Sequence, residues 1–148
     1  MSLFSRLEQD FLRAYKSKDA IRVAVLRMVK TAIKNKQIEL GREPDHDEIL
    51  ALLAREAKKR QESIDLFATA GRSDLVAKER RELEILEAYL PKPMTREELA
   101  PVVEAAIAEL GASGMKDMGR VMQAVMAGRK AQVDGKILSE LVRSRLSE

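Results

Sequence analysis

Cysteine and tryptophan are absent from this 148-residue sequence, and histidine occurs once. With no cysteine there is no disulfide, no zinc–thiolate site and no thiol nucleophile. Aromatic residues make up 3%, namely three Phe and two Tyr. A packed pair of sheets would draw on more aromatic and β-branched residues. The core must instead come from Leu, Ile, Val, Ala and Met, which suits amphipathic helices. No apolar run approaches the length of a membrane span, and the opening MSLFSRLEQDF lacks the apolar stretch of a signal peptide. These absences lead to the expectation of a cytoplasmic protein with no membrane partner. No P-loop or GxGxxG occurs, and no serine sits in a nucleophile-elbow pattern.

Charge is plentiful: 34% of residues are Asp, Glu, Lys or Arg, with a net of +3. The excess lies in residues 1–92, which hold 19 basic and 16 acidic side chains; residues 93–148 hold eight of each. A local excess of this size suits contact with a polyanion but is far from a basic arm that wraps nucleic acid.

The periodicity predicts an all-α protein of seven helices. The first four form an N-terminal bundle over residues 1–92, and three shorter ones form a C-terminal subdomain over 93–148. Leu3, Leu7, Phe11 and Leu12 mark a face of the first helix. Asp19 caps a second helix running to about Leu40, apolar over more than half its circumference and therefore central. A third runs from about Asp45 to Ala70, its end carrying Ile64, Leu66 and Phe67 as apolar residues. Gly71 then supplies a residue with positive φ and Ser73 caps the fourth helix. Pro91 and Pro93 end the bundle. Thr95 and Glu98 have the spacing of a capping box, and the remaining helices lie near Met118–Ala127 and Gly135–Leu146.

No catalytic, cofactor-binding or metal-binding residues are expected. His46 in Pro44-Asp45-His46-Asp47-Glu48 reads as an exposed helix start rather than a ligand. Glu79/Glu82 and Glu84/Glu87 alternate with Arg80 and Arg81 and read as a solvated face. Met115, Met118, Met122 and Met126 form a stripe that reads as core, or as a plastic groove for a protein partner. The cations are the better lead. Lys116, Arg120, Arg129, Lys130 and Lys136 are the primary candidates for nucleic-acid contact, and Arg27, Lys30 and Lys34, on one face of the second helix opposite its apolar side, are the alternative. Lys58, Lys59 and Arg60 are consecutive, so at most two share a direction. Tyr15 and Tyr89 read as partly buried, which leaves no ring to stack on an unpaired base and favours recognition of folded RNA through its backbone.

The segment Lys59-Arg60, Glu62-Ser63-Ile64, Phe67, Ala70-Gly71-Arg72, Asp74-Leu75, Glu79, Ile85-Leu86 and Tyr89-Leu90-Pro91 resembles the YqeY-like proteins. So do Leu26-Arg27, Lys30, Ile33-Lys34-Asn35 and Ile38-Glu39 before it, and Lys116-Asp117-Met118-Gly119, Val121-Met122 and Asp134-Gly135-Lys136 after it. Ala131 departs from the pattern, standing where relatives often carry Gly. These proteins share a domain with the C-terminal tail of GatB, a subunit of the tRNA-dependent amidotransferases. The resemblance implies a helical bundle followed by a small three-helix subdomain. It also implies a non-catalytic accessory role beside tRNA or the tRNA-aminoacylation machinery, with tRNA or other folded RNA as partner. Two alternatives stay open: a protein–protein adaptor with no RNA affinity, and the carbon–nitrogen ligase activity with glutamine as amido donor that the family label carries.

Overall fold

Asp19, Asp45 and Thr95 each accept a hydrogen bond from the backbone N–H three residues on, at 3.1, 2.9 and 3.1 Å, and each starts a helix. These side chains satisfy donors that the first turn leaves orphaned. The computed structural model describes residues 1–147, and the helices among them are α1 (Leu3–Lys16), α2 (Ala20–Leu40), α3 (His46–Thr69), α4 (Ser73–Glu87), α5 (Arg96–Leu110), α6 (Met118–Met126) and α7 (Gly135–Leu146). A 3₁₀ turn, Met115–Asp117, leads into α6. The fold is all-α, with no strand among the described residues. Two compact units divide after Leu90, so α1–α4 belong to the first and α5–α7 to the second.

In the first unit α2 packs against each of the other three helices. Leu7, Leu26, Leu53 and Leu86, one from each helix, are fully buried in a single apolar cluster with Val25, Val29 and Ile33. Tyr89 closes that cluster after α4. Its hydroxyl donates to Asp10 Oδ2 at 2.5 Å, and the Arg6 guanidinium lies 4.7 Å above its ring. Burial and the Asp10 acceptor push the Tyr89 hydroxyl well above its ordinary titration range. Tyr15 has the opposite fate. It is 63% exposed, not partly buried as the sequence pattern implied, because α1 turns Leu3, Leu7 and Ala14 inward and leaves position 15 outside. Leu66 is likewise exposed, at 72%, while Ile64 beside it is buried.

Between α3 and α4 the Arg72 N–H donates to Phe67 O at 2.9 Å and the Gly71 N–H to Ala68 O at 3.1 Å. That is a Schellman closure, with Gly71 at φ 71°. It also corrects the expected cap on α4. Arg72 C=O already accepts from Val76 N–H at 3.0 Å, so the cap position is Arg72, one residue before Ser73, and no side chain caps it. The same closure ends α1, where Asp19 N–H donates to Ala14 O and Lys18 N–H to Tyr15 O. There the left-handed position is held by Lys18, at φ 60°.

The second unit is built on Leu99, Val103, Val121, Val125, Leu138 and Val142. Met94 N–H donates to Gln132 O at 2.9 Å, tying the lead into α5 to the lead into α7. Two ion pairs, Arg96–Glu140 at 2.6 Å and Arg145–Glu104 at 3.1 Å, span α5 and α7 on the surface, where such pairs contribute roughly 0–1 kcal/mol each.

The two closures predict opposite mutational effects. No heavy atom lies within 4 Å of a Cβ built on Gly71, so Gly71→Ala carries backbone strain alone and is expected to lower unfolding stability by about 1 kcal/mol. Lys18→Gly relieves the same strain and is expected to stabilise by roughly 0.5–1 kcal/mol. Urea unfolding of both variants measures this, and equal effects of one sign would contradict it.

The cap of α3 predicts a pH effect. The Arg42 guanidinium, at 2.7 and 3.2 Å, and the Asp45 N–H, at 3.0 Å, hold the Glu48 carboxyl down to about 2. A lowered folded pKa means that the stabilisation is present above the usual glutamate range and is lost as pH falls through about 2. Carboxyl NMR is expected to give Glu48 a midpoint near 2, and a midpoint in the ordinary glutamate range would show the cap to be open.

Candidate nucleic-acid interface

Arg27, Lys30 and Lys34 stand at steps of three and four residues on α2, so they share one face. That face does not lie opposite the apolar side. The three cations line a groove of about 440 Å³ whose wall includes Phe4, Phe11 and Ile33. The cations therefore border the seam where α1 packs on α2, beside Ile33 of the core. Lys30 Nζ lies 4.5 Å and Arg27 Cζ 5.7 Å from the Phe11 ring centroid. The charged groups themselves thus lie over the ring, as in a cation–π contact, with Arg27 exposed and Lys30 half-buried. No carboxylate lines the groove, and none of the three cations forms an ion pair among the described residues.

The C-terminal candidates are less uniform. Arg120 is paired with Asp117 at 3.1 Å, and its guanidinium also lies 3.4 Å from Leu110 O. Arg129 is half-buried and donates to Val125 O at 3.2 Å, against the end of α6. Lys116, Lys130 and Lys136 are exposed and in no ion pair among the described residues. At the start of α7 Asp134 accepts from the Lys136 and Ile137 N–H groups at 2.8 and 3.2 Å, so those backbone donors are taken. The structure thus leaves three of the five side chains available. Lys59 and Arg60 both turn to Glu56, at 3.5 and 2.7 Å, and Arg60 also reaches Met28 Sδ, so the Lys58-Lys59-Arg60 run builds no shared cationic surface.

His46 is exposed at the first turn of α3, and among the described residues no acid and histidine group is placed to hold a metal ion. Met118, Met122 and Met126 pack against the core of the second unit, while Met115 is 45% exposed. The stripe is therefore mostly core. Glu84 and Glu87 are exposed on α4, with Glu79 and Glu82 half-buried.

Sequence reasoning missed one feature of the bundle face. Phe11 and Tyr15, one turn apart on α1, have ring centroids 6.4 Å apart and tilted by 31°, beside the Arg27 and Lys30 charges. The four-residue step on a helix with polar neighbours at Arg13 and Lys16 was the available signal.

A family model described as Yqey-like protein matches residues 4–146. Among curated proteins the chain is similar to "Altered inheritance of mitochondria protein 41, mitochondrial" of Eremothecium gossypii, 36% identical over 109 residues, covering 72% of this chain and 60% of that one. The protein of that name from Kluyveromyces lactis is 38% identical over 103 residues, covering 66% and 55%. The one from Saccharomyces cerevisiae strain S288c is 33% identical over 96 residues, covering 64% and 52%. The chain thus spans little more than half the length of these relatives. Their names correct the expected cytoplasmic location: the relatives are named as mitochondrial proteins. Freedom from cysteine and from long apolar runs carries no compartment address.

Proposed function

Because the chain belongs to the Yqey-like protein family, we propose that it is a small accessory protein without chemistry of its own, which holds folded RNA, tRNA in the first place, through the phosphate backbone. The observation that carries this reading is the α1–α2 groove, lined by Arg27 and Lys34, both exposed, and by the half-buried Lys30, with no carboxylate among the lining residues. Unpaired cations on one surface are what a phosphate backbone requires, since each contact adds a counterion-release contribution. Their positions on a single helix fix their spacing, so little ordering is left for binding. The second unit offers a set of its own, Lys116, Lys130 and Lys136, with Arg120 and Arg129 already engaged. Association with a tRNA-dependent amidotransferase is the setting in which such a module would act.

The test compares tRNA binding by wild type, by the triple variant Arg27→Gln, Lys30→Gln, Lys34→Gln, and by Lys116→Gln, Lys130→Gln, Lys136→Gln, over a range of salt. The bundle variant is expected to bind more weakly and to lose roughly 0.7–0.9 units of salt slope per contact removed, with circular dichroism unchanged. The same loss in the C-terminal variant alone would move the site to the second unit. Wild-type binding with no salt dependence would replace the RNA reading with that of a protein–protein adaptor.

A further inference from the structure

Tyr15 is out of place on a surface with so few aromatic rings. It is 63% exposed, whereas Tyr89 is buried and Phe11 is anchored against the apolar core of the first unit. Its ring leans against Phe11, and Phe11 also carries the cations Lys30 and Arg27, 4.5 and 5.7 Å from its centroid. Ring and charge therefore stand side by side along one seam: Tyr15, Phe11, then Lys30 and Arg27. The chain around Tyr15 carries Arg13, Lys16 and Lys18, and no acid occurs between Asp10 and Asp19. Arg13 is held near Asp10 at 3.9 Å, while Lys16 and Lys18 are exposed and in no ion pair among the described residues.

We infer that Tyr15, propped by Phe11, is a stacking platform for an unpaired base, so that the RNA taken by this face presents a looped-out or single-stranded nucleotide beside its phosphates. The inference rests on the RNA reading above and narrows it. A base has a π-face whatever its identity, and stacking on an exposed aromatic ring tolerates any sequence. Phosphates flanking that base would meet Lys16 and Lys18 on one side and Arg27 and Lys30 on the other. Duplex RNA offers no free base face and gains nothing from Tyr15. Charge decides between this occupant and an apolar protein segment. Leu12, 55% exposed, would welcome the latter, but Lys16 and Lys18 beside Tyr15 in the chain and Arg27 and Lys30 on the Phe11 ring, none of them in an ion pair among the described residues, favour a polyanion.

The probes are a stem–loop RNA with an unpaired purine loop and a blunt RNA duplex carrying the same number of phosphates. Binding is read by fluorescence anisotropy at several salt concentrations. Wild type is expected to prefer the stem–loop by about tenfold, within the range that one aromatic stack supplies. Tyr15→Leu is expected to remove the preference and leave the salt slope unchanged; Tyr15→Phe should keep it. Position 15 is exposed, so neither change threatens the fold. Equal binding of both RNAs by wild type, or a preference that survives Tyr15→Leu, overturns the platform while leaving backbone recognition standing. Absence of salt-dependent affinity for either RNA overturns both.

Discussion

Four leucines from four helices, Leu7, Leu26, Leu53 and Leu86, share one water-free cluster, and the rest of the first unit follows from that meeting. Truncating a leucine buried in this way typically costs about 2–5 kcal/mol, a large part of the stability of a domain this size. No single polar contact on the surface carries comparable weight. The exposed ion pairs contribute a fraction of a kcal/mol each, and the helix caps about one. The cluster also sets the rotation of each helix. Once Leu7 on α1 faces Leu26 and Val29 on α2, Phe11 falls at the edge of the core and Tyr15 outside it.

That rotation links packing to surface chemistry. Phe11 has one side in the core and the other under Lys30 and Arg27. A ring in this position holds the two charged heads near one another, so part of their side-chain freedom is already given up before binding. Cations paired to carboxylates, such as Arg120 with Asp117 and Arg60 with Glu56, must give up a partner before they can meet a phosphate. Counting basic residues ranks the C-terminal set first; removing those already engaged leaves three in each set, and the bundle three line one groove.

The legible part of the fold was the part written in local chemistry. Asp19, Thr95 with Glu98, and Gly71 each carry their own signal within four residues, and each behaves as that signal says. Ser73 looked like a cap, yet the closure of α3 recruits the Arg72 backbone and starts α4 one residue early. Tyr15 misled because side-chain polarity does not fix helix rotation when other residues of the same helix, Leu7 and Ala14, fill the core better. The site was less legible still. Arg27, Lys30 and Lys34 were visible as a set, but the ring they flank sits on another helix, and only packing brings it there.

The claim that unites these observations is that the α1–α2 seam is the RNA-facing surface of the protein. Ultraviolet crosslinking of the tagged chain in cells, with mass spectrometry of the peptides that retain nucleotide, tests it most directly. RNA attached within residues 11–18 and 27–37 is the result expected. Attachment confined to residues 116–136, or recovery of no RNA above an untagged control, would contradict it.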